Sequence, residues 1–323
     1  MGPREPPGKW IVARDNMGLD RAPFGKTGES QMADVECVFK IRSILGEGAL
    51  WDEAQNRLFW VDLKRPAVYQ FDPATGRNAK VKARLKGYIG AMVLRRSGGM
   101  IVLDHRGIFV LDPDTGAMRA FAKPIKDMRQ VAFNDAKCDR QGNLWSGVGD
   151  RKEARPLGVF YRFGPKGKTT RIDSNFICPN GPAFSPDGQT CYFSDSVANK
   201  IYRYDIDLHG GRVSARRLFA AIPNGDGQPD GLTVDAEGGV WCAQWDGWRV
   251  SRFLPDGKLD RVLEIPVPRP TSVAFGGPDL RTLYITSASV DLPRARLKEA
   301  PLSGSIFACR PGQRGLVEPR FAG

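Results

Sequence analysis

Only 2 of the 323 residues are His, and that scarcity removes several chemistries at once. A metal centre with three imidazole ligands cannot be built, and a His dyad or Ser-His-Asp triad would hang on one or two positions. His105 and His209 fall at or beside turns, so a dyad is not expected. No G-x-S-x-G elbow is present, and no G-x-x-x-x-G-K-S/T or G-x-G-x-x-G phosphate loop. No run of about 18 apolar residues exists, which excludes a membrane-spanning helix. Residues 1–31 lack the apolar core of a secretory signal and read as a loose extension, ahead of a domain spanning 32–323. The six cysteines (Cys37, Cys138, Cys178, Cys191, Cys242 and Cys309) include no C-x-x-C pair. They are expected to be free thiols in a reducing, cytoplasmic setting rather than zinc ligands. Helical periodicity is nearly absent.

What the sequence has in excess is turns. Gly contributes 37 residues and Pro 24, and they recur in DPATG, DPDTG, SPDG, DAEGG and LPDG between short apolar or alternating runs such as RLFWVDL, MIVLDH and TLYITS. These runs read as strands joined by hairpins. Alternate turn marks fall at residues 56, 98, 142, 188, 238 and 279, steps of 42, 44, 46, 50 and 41. A period in the forties with two hairpins per unit is the pattern of four-stranded propeller blades. The expected fold is therefore all-β, a six-bladed β-propeller in one domain, without the G-H…W-D signature of WD40 repeats.

Aligned on those marks, the six units begin at Glu47, Gly90, Asn134, Asn180, Asp230 and Thr271. One equivalent position per blade forms a ring round the central channel. Four of the six supply oxygen donors, two of them carboxylates, and none is apolar. Such donors suit a hard divalent cation. Taken singly, each could equally cap a turn at a strand start. Their common phase along the chain favours a metal site in the channel.

The segments GEGALWDEAQNRLFWVDL, FNDAKCDRQGNLWSG, PNGPAFSPDGQTCYFSDS and PDGLTVDAEGGVWCAQ resemble those of the senescence marker protein, or regucalcin/gluconolactonase, family, over residues 40–310 or so. The resemblance implies a six-bladed propeller holding one divalent cation and hydrolysing sugar lactones. It implies metal ligation by Glu47, Asn180 and Asp230, contact with substrate by Asn134, and a general-base role for Asp230. The cation would be Ca²⁺ first, with Mg²⁺, Mn²⁺, Zn²⁺ or Fe²⁺ also compatible with oxygen ligands. Two positions depart from the animal regucalcin branch: Ala132 stands where an Arg binds sugar hydroxyls, and Lys152 where an acidic residue is expected. Substrate recognition has accordingly shifted, with Lys152 assigned to substrate binding and Arg129, Trp245 and Trp248 as other candidates near the channel mouth.

Two alternatives share the same ring: a phosphotriesterase of the diisopropyl fluorophosphatase type, and a non-catalytic metal-binding scaffold. The expected partner is a small-molecule lactone, with neither nucleic acid nor membrane, in a monomer or weak homo-oligomer. The formal charge is +12, and its densest run, RNAKVKARLK (77–86), reads as a solvated edge strand. No nucleic-acid-binding motif accompanies it.

Overall fold

The six turns marked in the sequence all reverse the chain between antiparallel strands. A computed structural model describes residues 34–323; the expected extension over residues 1–31 lies outside them. Twenty-four strands form six four-stranded sheets. The first holds β2 (Gly46–Asp52), β3 (Arg57–Asp62), β4 (Ala67–Asp72) and β5 (Arg77–Lys80). The second holds β6 (Ile89–Leu94), β7 (Met100–Asp104), β8 (Gly107–Leu111) and β9 (Met118–Ala122). The third holds β10 (Val131–Cys138), β11 (Leu144–Asp150), β12 (Gly158–Phe163) and β13 (Thr169–Phe176). The fourth holds β14 (Pro179–Phe184), β15 (Thr190–Asp195), β16 (Lys200–Asp205) and β17 (Arg217–Ala221). The fifth holds β18 (Gln228–Val234), β19 (Val240–Trp245), β20 (Arg249–Phe253) and β21 (Leu259–Glu264). The sixth joins β22 (Pro270–Gly276), β23 (Thr282–Ser287) and β24 (Ile306–Cys309) to β1 (Glu36–Phe39). Both ends of the described chain thus complete one blade: β1 runs antiparallel to β24, with Cys37 opposite Phe307. Among the described residues a single helix, α1 (Arg294–Glu299), interrupts the all-β pattern between β23 and β24.

Burial falls from the axis outward. The first strands are almost wholly buried, as in β6 and β14, whereas β5 at a sheet edge is mostly exposed. The basic run therefore is an edge strand, but only over Arg77–Lys80. Beyond it Val81 is buried against the cluster of Leu50, Phe59 and Leu111, and the rest of the run becomes the connection to the second blade. Aromatic side chains fill the spaces between blades: Phe160 stacks on Phe193 with ring centroids 3.7 Å apart.

Aspartates fix the turns at both ends. Asp139 and Asp235 each begin a turn after a first strand, accept backbone N–H bonds from residues ahead, and take the indole N–H of the Trp six positions on, Trp145 and Trp241, at 2.8 Å. At the opposite end, the last residue of a second strand is Asp in four blades. Asp62 accepts the N–H groups of Ile44 and Leu45, and Asp195 those of Ile177 and Cys178. Asp62 and Asp195 thus each hold the segment that enters the first strand of their own blade, two or three residues before its ring position.

The C-terminal segment crosses the end of the channel where the first strands finish. Glu318 meets Lys137 at 2.6 Å, Arg320 meets Asp52 at 2.6 Å, and Phe321 is buried in the cluster between the second and third blades. Backbone bonds from Phe321 to Leu94 and from Arg96 to Phe321 tie it down. The first strands begin at the other end, which is the open mouth. Phe321→Ala should lower unfolding stability by about 3–5 kcal/mol, the range for emptying a buried aromatic site. Urea denaturation followed by tryptophan fluorescence measures it, and a loss below about 1 kcal/mol would mean that the tail is not anchored there.

Candidate metal and catalytic centre

In every blade the pairing between first and second strand slips at the same place: between Glu47 and Leu50, Ile89 and Ala91, Phe133 and Ala136, Asn180 and Ala183, Pro229 and Leu232, and Pro270 and Val273. A bulge of this kind breaks the in-and-out alternation and re-aims side chains. All six ring positions lie within or at the edge of these irregularities. The ring is thus a property of the backbone, and the side chains differ only in what they contribute to it.

Glu47, Asn180 and Asp230 are all buried. The Glu47 carboxylate accepts one bond, from the N–H of Gly48 at 3.0 Å. Asp230 Oδ1 is buried with no hydrogen-bond partner. Asn180 donates from Nδ2 to Ser196 Oγ at 2.9 Å, and Ser196 in turn donates to the Pro229 carbonyl next to Asp230 at 2.7 Å. This fixes the Asn180 amide with its Oδ1 toward Asn134, whose Nδ2 donates to it at 2.9 Å and to the Pro179 carbonyl at 2.8 Å. Asn134 is completed by the Tyr88 hydroxyl, which donates to Oδ1 at 3.3 Å.

The other two ring members are structural. Thr271 Oγ1 donates to the Gly46 carbonyl at 2.5 Å and so holds the strand that bears Glu47. At Gly90 a Cβ would come within 2.3 Å of the Phe133 carbonyl oxygen, so any side chain there would push the third blade away.

The electrostatics are strongly unbalanced. Burial, and then the charge of Asp135, pushes the Glu47 carboxyl well above the ordinary carboxylate range. Burial does the same to Asp230, reinforced by Glu47, Asp135 and Glu153. Asp135, one residue beyond Asn134, is pushed up to about 7 by burial, against the opposing charge of Lys137. Three acidic groups therefore crowd a buried site with no cation among them except Lys137 on the tail side. Among the described residues no three His, Cys, Asp or Glu side chains gather in metal-binding geometry; a cation here would lean on two carboxylates and amide oxygens. The residues fit one. Asp230 keeps an unused carboxylate oxygen, Glu47 has spare lone pairs, and the Asn180 carbonyl retains a second.

The structure brings Glu47, Asn134, Asn180 and Asp230 together. It places Lys152 apart from them, exposed on a turn at the mouth. The next residue, Glu153, turns inward with φ of 50°. Its charge is felt by Asp230 and Cys178, and burial raises its pKa while Lys64 opposes the rise. Lys64 is itself brought down to about 8 by burial, against the pull of Glu153 and Asp291. Ala132 is buried in its strand. Arg129 is exposed and paired with Asp127 at 2.7 Å, while Trp245 lies under the Arg269 guanidinium at 4.5 Å. Tyr88, Asp135, Lys64 and Ser196 were not visible as site residues in the sequence, whereas Glu153 adjoins the position at which the resemblance led to an acid being expected. Tyr88 sits two positions before a ring member, a spacing that could have signalled it; Lys64 reaches the mouth from a turn in another blade and left no signal.

Two kinds of comparison agree with this geometry. Residues 45–289 match the model of the SMP-30/gluconolactonase/LRE-like region. A 6-deoxy-6-sulfogluconolactonase of Pseudomonas putida is 35% identical over 290 residues, covering 90% of this chain and 99% of that protein. A pentonolactonase of Haloferax volcanii is 35% identical over 250 residues, 76% of this chain and 82% of its own. The crystal structure of a calcium-binding protein, regucalcin, from Agrobacterium tumefaciens superposes with a TM-score of 0.84 at 28% identity, covering 90% of this chain and 97% of that one. With a six-bladed propeller, a ring of two carboxylates and two amides, and these matches along most of its length, the chain belongs to the SMP-30/gluconolactonase/LRE-like family.

Proposed function

We propose that this protein hydrolyses a sugar lactone to the corresponding aldonic acid, with a divalent cation held by Glu47, Asn180 and Asp230. The observation that supports it most directly is the unpartnered, buried Oδ1 of Asp230 beside a second uncompensated carboxylate. Calcium is the first choice of cation, given the oxygen-only donors and the regucalcin likeness. When bound, the cation offsets the two carboxylates and supplies Lewis acidity toward the lactone carbonyl.

The chain's own residues account for the rest. Asp230, ionised once its charge is balanced, takes a proton from water as the water oxygen attacks the carbonyl carbon. The ring C–O bond then breaks, and the departing oxygen takes up a proton to become the sugar hydroxyl. The acid formed ionises at neutral pH, so each turnover releases one proton. Asn134, fixed by Tyr88 and Asn180, presents its amide toward the mouth side of the ring and orients a sugar hydroxyl. Glu153 accepts a second hydroxyl, with Lys64 keeping it ionised. Lys152, on the exposed rim, contacts the far end of the substrate. Together these groups hold the lactone with its carbonyl facing Asp230, which is the positional part of the rate gain.

A panel of lactones scored by proton release, with chelated protein and with each divalent cation in turn, tests this reading. Acceleration by at least one cation on at least one lactone is expected; none on any lactone would overturn it. Asp230→Asn should reduce kcat/KM by at least about a hundredfold, the range for losing a general base, with the circular dichroism spectrum unchanged. Near-normal turnover in that variant would remove Asp230 from its role.

The acid cluster also predicts how the metal-free protein responds to pH. Carboxyls whose pKa is raised by folding bind protons more tightly in the native state than when unfolded, so native stability is greatest below their ordinary pKa. It is lost as pH climbs from about 4 through about 7, where Asp135 titrates. In chelator, the melting temperature should therefore fall over that interval. Millimolar Ca²⁺ should restore it at pH 7.5 and do little at pH 4.5. A melting temperature that is flat with pH, or that is blind to every divalent cation at pH 7.5, would argue against an acidic metal centre.

A further inference from the structure

The charge of this protein is sorted between the two ends of the channel. Loops at the mouth, with the strand residues that flank them, carry 21 basic and 11 acidic side chains; those at the opposite end carry 15 and 16. The mouth is itself uneven. Its connections in blades one to three hold 13 basic and 5 acidic residues, leaving 8 and 6 for the other three blades. Several of those acids are already committed, since Asp104, Asp127 and Asp150 pair with Arg106, Arg129 and Arg155. Lys82, Arg84, Lys86, Lys123, Lys126 and Lys152 are exposed and form no ion pair among the described residues.

These cations stand on the connections that deliver the site. The segment bearing Lys82, Arg84 and Lys86 ends at Tyr88, which bonds Asn134. The segment bearing Lys123 and Lys126 enters β10, which carries Asn134 itself. Lys152 adjoins Glu153. A half-collar of positive charge therefore overhangs the side of the ring on which a sugar would lie, and the remaining half is close to balanced. Like charge held this densely is unfavourable for the fold, and it raises the local concentration of an anion at the mouth.

We propose that the substrate is a sugar lactone bearing a second, anionic group (sulfonate, phosphate or carboxylate) on the carbon chain away from the carbonyl, held under the collar of blades one to three. This rests on the lactonase reading above and narrows it to charged substrates. The lactone carbonyl faces Asp230, and the anionic end points outward between the Lys82–Lys86 and Lys123–Lys126 segments.

The test compares glucono-1,5-lactone with its 6-phosphate, its 6-sulfonate and the 6-carboxylate lactone, using the metal-loaded full chain at 20 mM and 500 mM salt. At low salt kcat/KM should favour at least one anionic lactone by about tenfold or more. High salt should shrink that preference, because it shortens the screening length to a few ångströms. The arm with the largest preference identifies the group. Lys82→Glu, Arg84→Glu and Lys86→Glu combined should erase the preference and leave the neutral lactone unchanged. Lys166→Glu with Lys168→Glu, at the opposite end, should leave both unchanged. Calorimetry of the hydrolysed products gives an independent readout: 6-phosphogluconate should bind more tightly than gluconate, and the collar variant should remove the difference. Equal rates and equal product affinities for neutral and charged compounds would overturn this inference while sparing the lactonase reading. Hydrolysis of no lactone, charged or neutral, would overturn both.

Discussion

The whole site depends on one backbone irregularity repeated six times. A regular strand sends alternate side chains to opposite faces, and both faces of a first strand are already committed to packing against neighbouring blades. Only a bulge releases a side chain toward the axis. Where the bulge holds Glu47, Asn180 or Asp230 it delivers a donor; where it holds Thr271 it delivers a brace across to Gly46; at Gly90 it delivers nothing, and Phe133 of the third blade moves in. Chemistry and architecture are thus separable at each position, which is how one scaffold can change its function at the ring without refolding.

The bulges create a cost that the rest of the centre reflects. They bury Glu47, Asp135 and Asp230 within mutual reach, and carboxylates so placed resist ionisation. Proton uptake relieves the repulsion at acidic pH, and a divalent cation relieves it at neutral pH. Asp135 differs from the other two because Lys137 lies on its side, itself paired with Glu318 of the C-terminal segment. The tail therefore both closes the channel and shares in the charge balance beneath the ring. The clamps at Asp62 and Asp195 contrast with this cluster: also buried, they accept bonds from entering backbone amides. Buried carboxylates in this fold differ in whether backbone N–H groups satisfy their oxygens, as at Asp62 and Asp195, or leave one without a partner, as at Asp230 Oδ1.

The fold was legible because its information is local and repeated. Each DPxxG or SPDG turn is readable alone, and the spacing in the forties makes the count six. Glu47, Asn134, Asn180 and Asp230 were legible for the same reason, since they share a phase with the turns. Tyr88 and Ser196 were not, because they act through contacts with residues from other blades. Lys152 shows the limit most clearly. The resemblance led to an acid expected at 152, where Lys152 stands exposed, and the acid that faces inward is the adjacent Glu153, at a left-handed backbone position. A single residue of offset in a turn decides which charge faces the ring, and composition cannot resolve it. The run at 77–86 also misled: its alternation is real, but the strand stops at Lys80, and after Val81, buried and bonded to the Val68 carbonyl, the chain becomes a connection.

That shortened strand gives the net charge a location. Were 77–86 a single edge strand, its cations would be spread along the flank of the first blade. Because the chain leaves the sheet at Lys80, Lys82, Arg84 and Lys86 are carried over the mouth instead, on the segment that ends at Tyr88. The same side chains then stand on the connection that leads into the site rather than along the outer edge of the blade. An excess positive charge that read as a solvated sheet edge stands instead, in part, on the connection leading to the strand that bears Gly90. The ring is negative, buried and suited to a cation; the collar is positive, exposed and suited to an anion. A lactone with a charged tail is the kind of molecule that satisfies both, with its carbonyl oxygen directed at the first and its tail at the second.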